Sequence, residues 1–468
     1  MKKRILSIIL MLAMLCSFTA CKNSKQTSSD DASGSSDITS DIASDNNSAD
    51  NDSNTDNINA SSGQTSGSGK QNETSGIDYN SLKGTTVKMI MWRALTEQEK
   101  KTISAFEQKY SMKVKVEETK SSALLTKIAS LVSTKQSPDV TIIPGGKGAQ
   151  GAFPLGVASI FQPATVTKQD FNDSFWNKEA MNAYAINGKP YAIVSSQTNW
   201  YNNYSVLFYN ADMFKADGIT TPYTLWKQGK WNWNTLKSTA QEIKKKGHDY
   251  GLMIDQEFNF VKSTGTEFIA YDGNKFTNNI TNAKVIDAWT FEAQLVKEQL
   301  MPVYGTATGS FTGGKCGMFV SNSWAMRKGE VLATADFNLE CVPFPSPAGE
   351  KQVVGAAHNL FAIPKGAKNP VGAGVFLRYF LDASNNGKFS DIALSTQFEE
   401  IFNYTNQSNL KHSYTYCYGV VGYTNYKSLS SLLTSLHKAS PEQVPTVLQQ
   451  SKAVFDNAVN TTNKKLGK

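Results

Sequence analysis

The sequence predicts an α/β protein with two lobes. From residue 85 onward, short apolar segments rich in β-branched residues alternate with longer segments of helical period. Such alternation is typical of parallel strands joined by helices. Residues 81–468 are also more chain than one hydrophobic core usually serves, so we expect the core to be divided between two lobes.

The first half of this region begins with a strand and a capped helix. Thr96 and Glu99 form a capping box that opens a helix directly after the first strand, and Ser137-Pro138 ends a second helix before the third strand. The predicted order is strand TTVKMIMW, the capped helix, strand KVKVEE, a helix from Leu124 to Val132, and strand DVTII.

The second half continues the alternation. A helical pattern ends at Gly247, and Trp289 has helical spacing from Val285 and Val296, which places its ring in a core. The predicted elements are strand VLFYN, helix WNTLKSTAQEIKKKG, helix NAKVIDAWTFEAQLVKEQL, strands CGMFV and LECVPFP, and helix NPVGAGVFLRYFLD.

The N-terminus has the pattern of an export signal. Basic residues at positions 2–4 precede an apolar run over 5–16, which is too short to span a bilayer. Small residues then lead into Cys21, an arrangement that resembles the bacterial lipobox. We expect a signal peptide over 1–20 and a lipid on Cys21 that anchors the protein outside the cytoplasmic membrane. An ordinary secretory signal is the alternative.

Residues 21–80 predict a disordered tether. Apart from Cys21, this stretch consists mainly of Ser, Asn, Asp, Gly and Thr, and cannot bury enough apolar surface to offset its ordering entropy. The chain carries a net charge of +7. No cluster of Lys and Arg with interleaved aromatic residues is present, which argues against a nucleic-acid partner.

The cysteines and histidines indicate neither a metal site nor a disulfide framework. After removal of the signal peptide and lipidation of Cys21, three cysteines remain: Cys316, Cys341 and Cys417. They form no Cys-x-x-Cys motif, and the 4 histidines are scattered. We expect buried free thiols and no cofactor.

Six segments in a fixed order resemble the family 1 extracellular solute-binding proteins of carbohydrate ABC importers, relatives of maltose-binding protein. These segments are PDV, GKPYAIV, LFYNADMFKADGI, LWKQGKWNWNTL, FTGGKCGMFVSNSW and NLFAIPKGAKNPVGAGVFLRYFL. The resemblance implies a periplasmic-binding-protein fold with a ligand cleft between hinged lobes, formed by 81–206 plus 346–395 and by 210–341 plus 396–468. It also implies a monomer that delivers a neutral carbohydrate to a permease without performing chemistry.

A loop before the predicted crossing strand has the composition of a sugar site. Trp200, Tyr201, Asn202, Asn203 and Tyr204 combine flat rings with amides and carry no charge. Rings can cover the apolar face of a sugar, while amides bind its hydroxyls. The alternative for each ring is packing within its own lobe.

Residues at two strand ends are further candidates, because ligand sites of α/β sheets gather there. Trp92 and Arg93 end the first strand, and Asn322, Ser323 and Trp324 follow CGMFV. By the resemblance, Trp324 has the position of a sugar-stacking tryptophan. Core packing is the alternative for both tryptophans, and a surface ion pair for Arg93.

The remaining candidates are Gly145, Gly146, His358 and Asn359. Residues 146–151 fit G-x-G-x-x-G, but a proline soon follows and the protein is exported, so we reject a dinucleotide site. We interpret the two glycines as a close approach of the backbone to the cleft. His358 and Asn359 precede strand LFAI, where the resemblance also places cleft residues; a structural histidine is the alternative.

Two other functions stay open at the level of sequence. A surface glycosidase needs two opposed carboxylates, and the available acids are Asp139, Glu257, Asp272 and the pair Glu399-Glu400. No G-x-S-x-G or H-E-x-x-H motif is present. A binding module that serves a sensor would have the same sequence features as an importer receptor.

Overall fold

The computed structural model describes residues 76–145, 153–197, 201–255, 257–303, 308–387 and 393–468. Residues 76–80, which were predicted to belong to the tether, pack on the domain. Ile77 is buried, the Asp78 carboxylate caps the first helix, and the Tyr79 ring stacks on Tyr110. These contacts attach the start of the domain to its first α/β unit.

Fifteen strands lie in the described residues. They are β1 Thr86–Met91, β2 Lys113–Glu118, β3 Val140–Ile143, β4 Phe161–Gln162, β5 Ala185–Ile186, β6 Lys189–Pro190, β7 Ser205–Asn210, β8 Tyr250–Ile254, β9 Ile269–Tyr271, β10 Phe276–Asn278, β11 Cys316–Asn322, β12 Leu339–Pro343, β13 Val353–Gly355, β14 Leu360–Pro364 and β15 Lys411–Ser413.

The α-helices of the described residues lie before, between and after these strands, singly or in succession. They are α1 Tyr79–Leu82, α2 Glu97–Tyr110, α3 Leu124–Ser133, α4 Leu155–Ile160, α5 Lys178–Ala183, α6 Ala211–Asp217, α7 Pro222–Lys227, α8 Trp233–Lys245, α9 Asn259–Ser263, α10 Ala283–Lys297, α11 Thr308–Thr312, α12 Pro370–Phe380, α13 Ala383–Asn386, α14 Thr396–Thr405, α15 Tyr423–Lys438 and α16 Val444–Lys465.

Two larger sheets organise the structure. The first has the order β2-β1-β3-β14-β4 and the second the order β12-β7-β11-β8. Three small two-stranded sheets pair β5 with β6, β9 with β10, and β13 with β15. The chain therefore passes from the first sheet into the second at β7 and returns to the first sheet at β14.

The expectation of parallel pairing is right for part of each sheet only. Strand β1 is parallel to β2 and β3, and β11 is parallel to β8. Strand β7 is antiparallel to β11 and β12, and β14 is antiparallel to β3 and β4. The antiparallel strands lie where the chain enters or leaves a sheet, whereas the parallel ones are joined by helical crossovers within a sheet.

The local predictions agree with the structure. The Thr96 and Glu99 capping box is present, with both reciprocal hydrogen bonds. Trp289 is buried, and Cys316, Cys341 and Cys417 are buried free thiols. Among the described residues, we find no helix with the length and apolar character needed to cross a membrane.

Gly251 allows α8 to pack closely on β8, which predicts a steric cost for a side chain there. A Cβ atom on Gly251 would lie 2.5 Å from both Cα and the carbonyl oxygen of Ala240. We expect Gly251→Ala to lower the free energy of unfolding by about 1–3 kcal/mol, measured by urea denaturation. Gly309→Ala is the matched control, because no heavy atom lies within 4 Å of the added methyl group. Equal stability of both variants would contradict this account.

Candidate functional site

The centre of the site is the extended segment that leads into β7. The Tyr204 N–H donates to the Ser323 hydroxyl over 3.1 Å, and the Ser323 N–H donates to the Tyr204 carbonyl over 2.8 Å. On the other side, Ala357 and Asn359 donate their N–H groups to the carbonyls of Asn203 and Tyr201, at 2.9 and 3.0 Å. The segment is thus hydrogen-bonded to the end of β11 and to the approach to β14.

Gly145 joins this cluster through backbone contact. Its N–H donates to the Asn359 side-chain oxygen over 2.7 Å, and a Cβ atom at Gly145 would lie 2.2 Å from the Ala357 carbonyl oxygen. Only glycine fits this approach. Gly145, Asn203, Ser323 and Asn359, which are all predicted site residues, therefore come together in the structure.

His358 is neutral and has a defined tautomer. Burial lowers the pKa of His358 to about 3, with the nearby His412 as a smaller cause. The Asn203 N–H donates to Nδ1 of His358 over 3.2 Å, so Nδ1 is the acceptor and the ring proton lies on Nε2. A buried N–H donor is therefore present at Nε2.

Four buried polar atoms of this region have no hydrogen-bond partner among the described residues. They are Nε2 of His358, Oδ1 of Asn203, Oδ1 of Asn322 and Nδ2 of Asn259. All four belong to uncharged side chains, two as donors and two as acceptors. Because unpaired buried polar groups cost free energy, these atoms are ready to bind an uncharged hydrogen-bonding group.

Trp92 and Arg93 lie directly after β1. The indole of Trp92 is partly buried against the core, and the Arg93 guanidinium carbon lies 5.8 Å from its ring centroid. Arg93 forms a bidentate ion pair with the buried Glu99, at 2.7 and 2.8 Å. The surface ion pair considered for Arg93 is therefore replaced by a pair whose carboxylate is fully buried.

Trp324 lies just after β11 and is likewise only partly buried against the core. Its carbonyl accepts a hydrogen bond from Nε of Arg327 over 2.9 Å, and Arg327 also pairs with Glu330. Burial lowers the pKa of Arg327. Glu330 opposes that shift, and the charge of Arg93 adds to it. The two tryptophans thus each have an arginine beside them.

The side chains of three candidates are enclosed by protein. Tyr201 donates its hydroxyl to Glu99, Tyr204 donates its hydroxyl to Asn406, and the Asn202 amide donates to the Ser195 carbonyl and to Asn406. These side chains anchor the segment from Tyr201 to Tyr204, which leads into β7 and is called the crossing segment below. Gly146, Trp200 and Cys21 lie outside the described residues.

The sequence prediction missed Glu99, Asn259 and Lys262. Asn259 accepts a hydrogen bond from the Ser205 hydroxyl over 2.8 Å, and the buried Lys262 lies nearby beside Gly355. Both follow the end of β8, so the strand-end rule that selected Trp92 would have found them. Glu99 was recognised only as a helix cap.

Three of the acids considered for glycosidase chemistry have other partners. Asp139 accepts the N–H groups of Lys88 and Asn369, Asp272 accepts those of two following turn residues, and Glu400 pairs with Lys227 and Tyr223. Over the described part of the chain, no group of three His, Cys, Asp or Glu residues is arranged to hold a metal ion.

A polar groove of about 640 Å³ lies between α5, the β9–β10 region and β15. The His412 ring lies between the Glu179 carboxylate, 2.8 Å from Nδ1, and the Thr405 carbonyl, 2.9 Å from Nε2. Glu267 accepts the Tyr414 N–H over 2.9 Å, and burial raises the pKa of Glu267 to about 7. Three titratable side chains, Glu179, Glu267 and His412, therefore line this groove.

The chain matches the family of bacterial extracellular solute-binding proteins over residues 101–400. It belongs to that family. No curated protein is significantly similar to it in sequence.

Solved structures of other solute-binding proteins share its fold. The cyclic α-maltosyl-1,6-maltose binding protein from Arthrobacter globiformis has 16% identity and a TM-score of 0.63, with 80% of this chain and 99% of that chain covered. The Staphylococcus aureus extracellular solute-binding protein, in complex with maltose, has 14% identity, a TM-score of 0.61, and coverages of 80% and 98%.

The ABC substrate-binding protein from Listeria monocytogenes, in complex with cycloalternan, gives 16% identity, a TM-score of 0.59, and coverages of 81% and 99%. At these identities the likeness establishes the fold. It confirms the two-lobed arrangement of this solute-binding protein, as expected from the sequence.

The raised pKa of Glu267 predicts a loss of stability with rising pH. Between its ordinary pKa of 4.5 and the folded value of about 7, the folded state binds more protons than the unfolded state, so this contribution to stability falls as pH rises. Glu267→Gln cannot titrate. We expect its melting temperature, relative to the parent protein, to rise from pH 5 to pH 7. Glu118→Gln, which changes an exposed carboxylate, is the control, and its melting temperature should follow that of the parent at every pH. A melting-temperature difference between Glu267→Gln and the parent that does not change with pH would contradict the raised pKa of Glu267.

Proposed function

We propose that this protein is an extracytoplasmic receptor that binds a neutral carbohydrate, of oligosaccharide size, and delivers it to an ABC importer. The observation that carries the proposal is a set of buried atoms on Asn203, Asn259, Asn322 and His358 that have no hydrogen-bond partner within the described ranges. An uncharged ligand rich in hydroxyl groups can satisfy such donors and acceptors without bringing a charge into the protein.

The two partly buried tryptophans support the same ligand class. Trp92 follows a strand of the first sheet and Trp324 a strand of the second, so each lobe would supply one aromatic surface for a sugar ring. The related proteins named above bind, by their own descriptions, maltose, cycloalternan and a cyclic maltosyl-maltose. We extend that class to this chain. Gly145, Gly146, Trp200 and Asn359 complete the proposed lining.

We further propose lobes of 81–206 plus 346–395 and of 210–341 plus 396–468. The strand content of the two sheets supports this division. Closure about the crossing segments would enclose the ligand. We assign no chemistry to the protein, because its family consists of binding proteins and the acids Asp139, Asp272 and Glu400 are held by other groups.

The proposal is tested by thermal unfolding of the full chain with maltose, maltotetraose, mannotriose, amino acids, polyamines and phosphate. At about 100 times Kd the folded state gains roughly 2.7 kcal/mol, which raises the melting temperature by a few degrees. We expect a shift with one sugar class and no turnover of that sugar. Shifts with charged solutes alone, or cleavage of the sugar, would overturn the proposal.

Trp324→Ala refines this test. Loss of a central stacking ring should weaken binding of the active sugar by about 2–4 kcal/mol, measured by titration calorimetry. Trp226→Ala is the matched control, since Trp226 packs against Tyr404 and Lys227 on the helix α7 surface. Unchanged affinity in a folded Trp324→Ala protein would remove Trp324 from the site.

For the membrane attachment, we propose a lipid on Cys21 and a monomeric receptor that docks on permease subunits. The motif before Cys21 supports the lipid, and the family is extracellular. We expect the parent protein, expressed in a bacterial host, to incorporate radiolabelled palmitate and to sediment with membranes. Cys21→Ser should do neither. Palmitate incorporation by Cys21→Ser would refute the assignment.

A further inference from the structure

The carboxylate of Glu99 has more partners than a helix cap requires. It accepts two hydrogen bonds from Arg93, one from the Tyr201 hydroxyl and one from the Thr96 N–H at 2.7 Å. The capping box itself uses only the bond to Thr96. Glu99 is fully buried, so its other bonds lie inside the protein.

A buried ion pair is a poor device for stability alone. Removing a carboxylate and a guanidinium from water costs free energy that their attraction often only repays, and apolar side chains can replace such a pair without loss. The geometric effect of the pair is more specific. The bidentate bond fixes the plane of the Arg93 guanidinium, which also donates to the Ala94 carbonyl over 2.7 Å.

Fixing Arg93 also fixes the environment of Trp92. The guanidinium carbon lies 5.8 Å from the centroid of the indole, within the range of a cation–π interaction. Trp92 is only partly buried, so contacts with the core do not enclose it on all sides. The ion pair of Glu99 and Arg93 therefore restricts the position of the guanidinium next to this ring.

The Tyr201 hydroxyl connects the same carboxylate to the crossing segment. Tyr201 is buried, its ring packs on Phe361 and Phe380, and its carbonyl accepts the Asn359 N–H over 3.0 Å. The Tyr201 hydroxyl therefore joins the crossing segment directly to Glu99, which also holds Arg93 beside the ring of Trp92.

Arg327 lies shortly after β11, in the second sheet's part of the chain, and pairs with Glu330. Burial is the main cause that lowers the pKa of Arg327, and the charge of Arg93 lowers it further. Trp324, three residues before Arg327, is tied to it through the 2.9 Å bond to its carbonyl.

We propose that Glu99 is a positioning residue for ligand binding: it holds Arg93 against Trp92 and ties that ring to the crossing segment through Tyr201. The inference rests on the proposed function, because it assigns Trp92 to the ligand surface. It adds a determinant of affinity that does not itself touch the ligand.

The experiment is fluorine NMR of the full chain labelled with 5-fluorotryptophan, with Trp92→Phe to assign the Trp92 resonance. Glu99→Gln keeps the size and the capping ability of the side chain and removes its charge. We expect it to shift or split the Trp92 resonance and to leave the other tryptophans unchanged. Tyr201→Phe, which removes only the hydroxyl, should also alter the Trp92 resonance.

Glu97→Gln is the matched control, because Glu97 lies in the same helical turn and pairs with Lys100 on the surface. Its Trp92 resonance should equal that of the parent. A parental Trp92 resonance in folded Glu99→Gln would overturn the proposal, as would an equal change in Glu97→Gln. If Glu99→Gln does not fold, the Trp92 resonance is measured in Arg93→Lys, because lysine keeps the charge but loses the bidentate geometry. A changed resonance supports the proposal, and a parental resonance overturns it.

Maltotetraose binding provides the second readout. We expect Glu99→Gln to bind it about tenfold more weakly than the parent, with Glu97→Gln unchanged, since a hydrogen bond to a charged group contributes roughly this much. Parental affinity in Glu99→Gln would overturn the proposal. If the parent does not bind maltotetraose, the NMR comparison alone decides the positioning role, and the full panel of sugars decides the proposed function.

Discussion

The structure depends on the need to satisfy the backbone of a buried segment that crosses from one sheet to the other. Tyr201 to Tyr204 is buried throughout, so each N–H and carbonyl there needs a partner inside the protein. Ser323 satisfies both backbone groups of Tyr204, Ala357 and His358 satisfy those of Asn203, and Asn359 satisfies the Tyr201 carbonyl. These bonds bring the end of β11 and the approach to β14 to the same place. The candidate site is the consequence of that meeting.

Charged and neutral polar groups are treated differently around this crossing. Arg93 and Glu99 form an ion pair, and the Glu179 carboxylate contacts the His412 ring. The buried Lys262 is an exception, and its burial lowers its pKa to about 8. Neutral groups such as Asn203 and Asn322 keep a buried oxygen that no described residue satisfies. An uncharged hydroxyl group can satisfy these oxygens at a lower desolvation cost than an ion.

Local sequence signals predicted seven of the nine strands in the two larger sheets and five helices, and helix caps explain part of that success. The Thr96–Glu99 capping box and the glycine after α8 mark helix ends through contacts within a few residues. Strand direction was predicted less well, because β7 and β14 are antiparallel to neighbours that are distant in sequence. The alternation of strands and helices predicts how successive elements are connected. It does not predict where the chain passes from one sheet to the other.

The aromatic composition of the crossing segment did not predict the direction of its rings. Tyr201 reaches Glu99 in the first lobe, whereas Tyr204 reaches Asn406 and packs on His412. A segment that alternates rings and amides gives the same composition whichever set turns inward, so packing partners far along the chain decide the outcome.

Glu99 is a single residue whose partners are likewise only partly predictable from the sequence. Arg93 and Glu99 are six residues apart across one strand-to-helix turn, so their pairing follows from local geometry once that turn is recognised. The Tyr201 hydroxyl arrives from a segment 102 residues further on, and no local signal announces it. A glutamate at the third helical position is fully explained by capping, which removes any reason to search for a second role. Residues whose local role is complete are therefore where sequence reasoning stops earliest, and where a structure adds most.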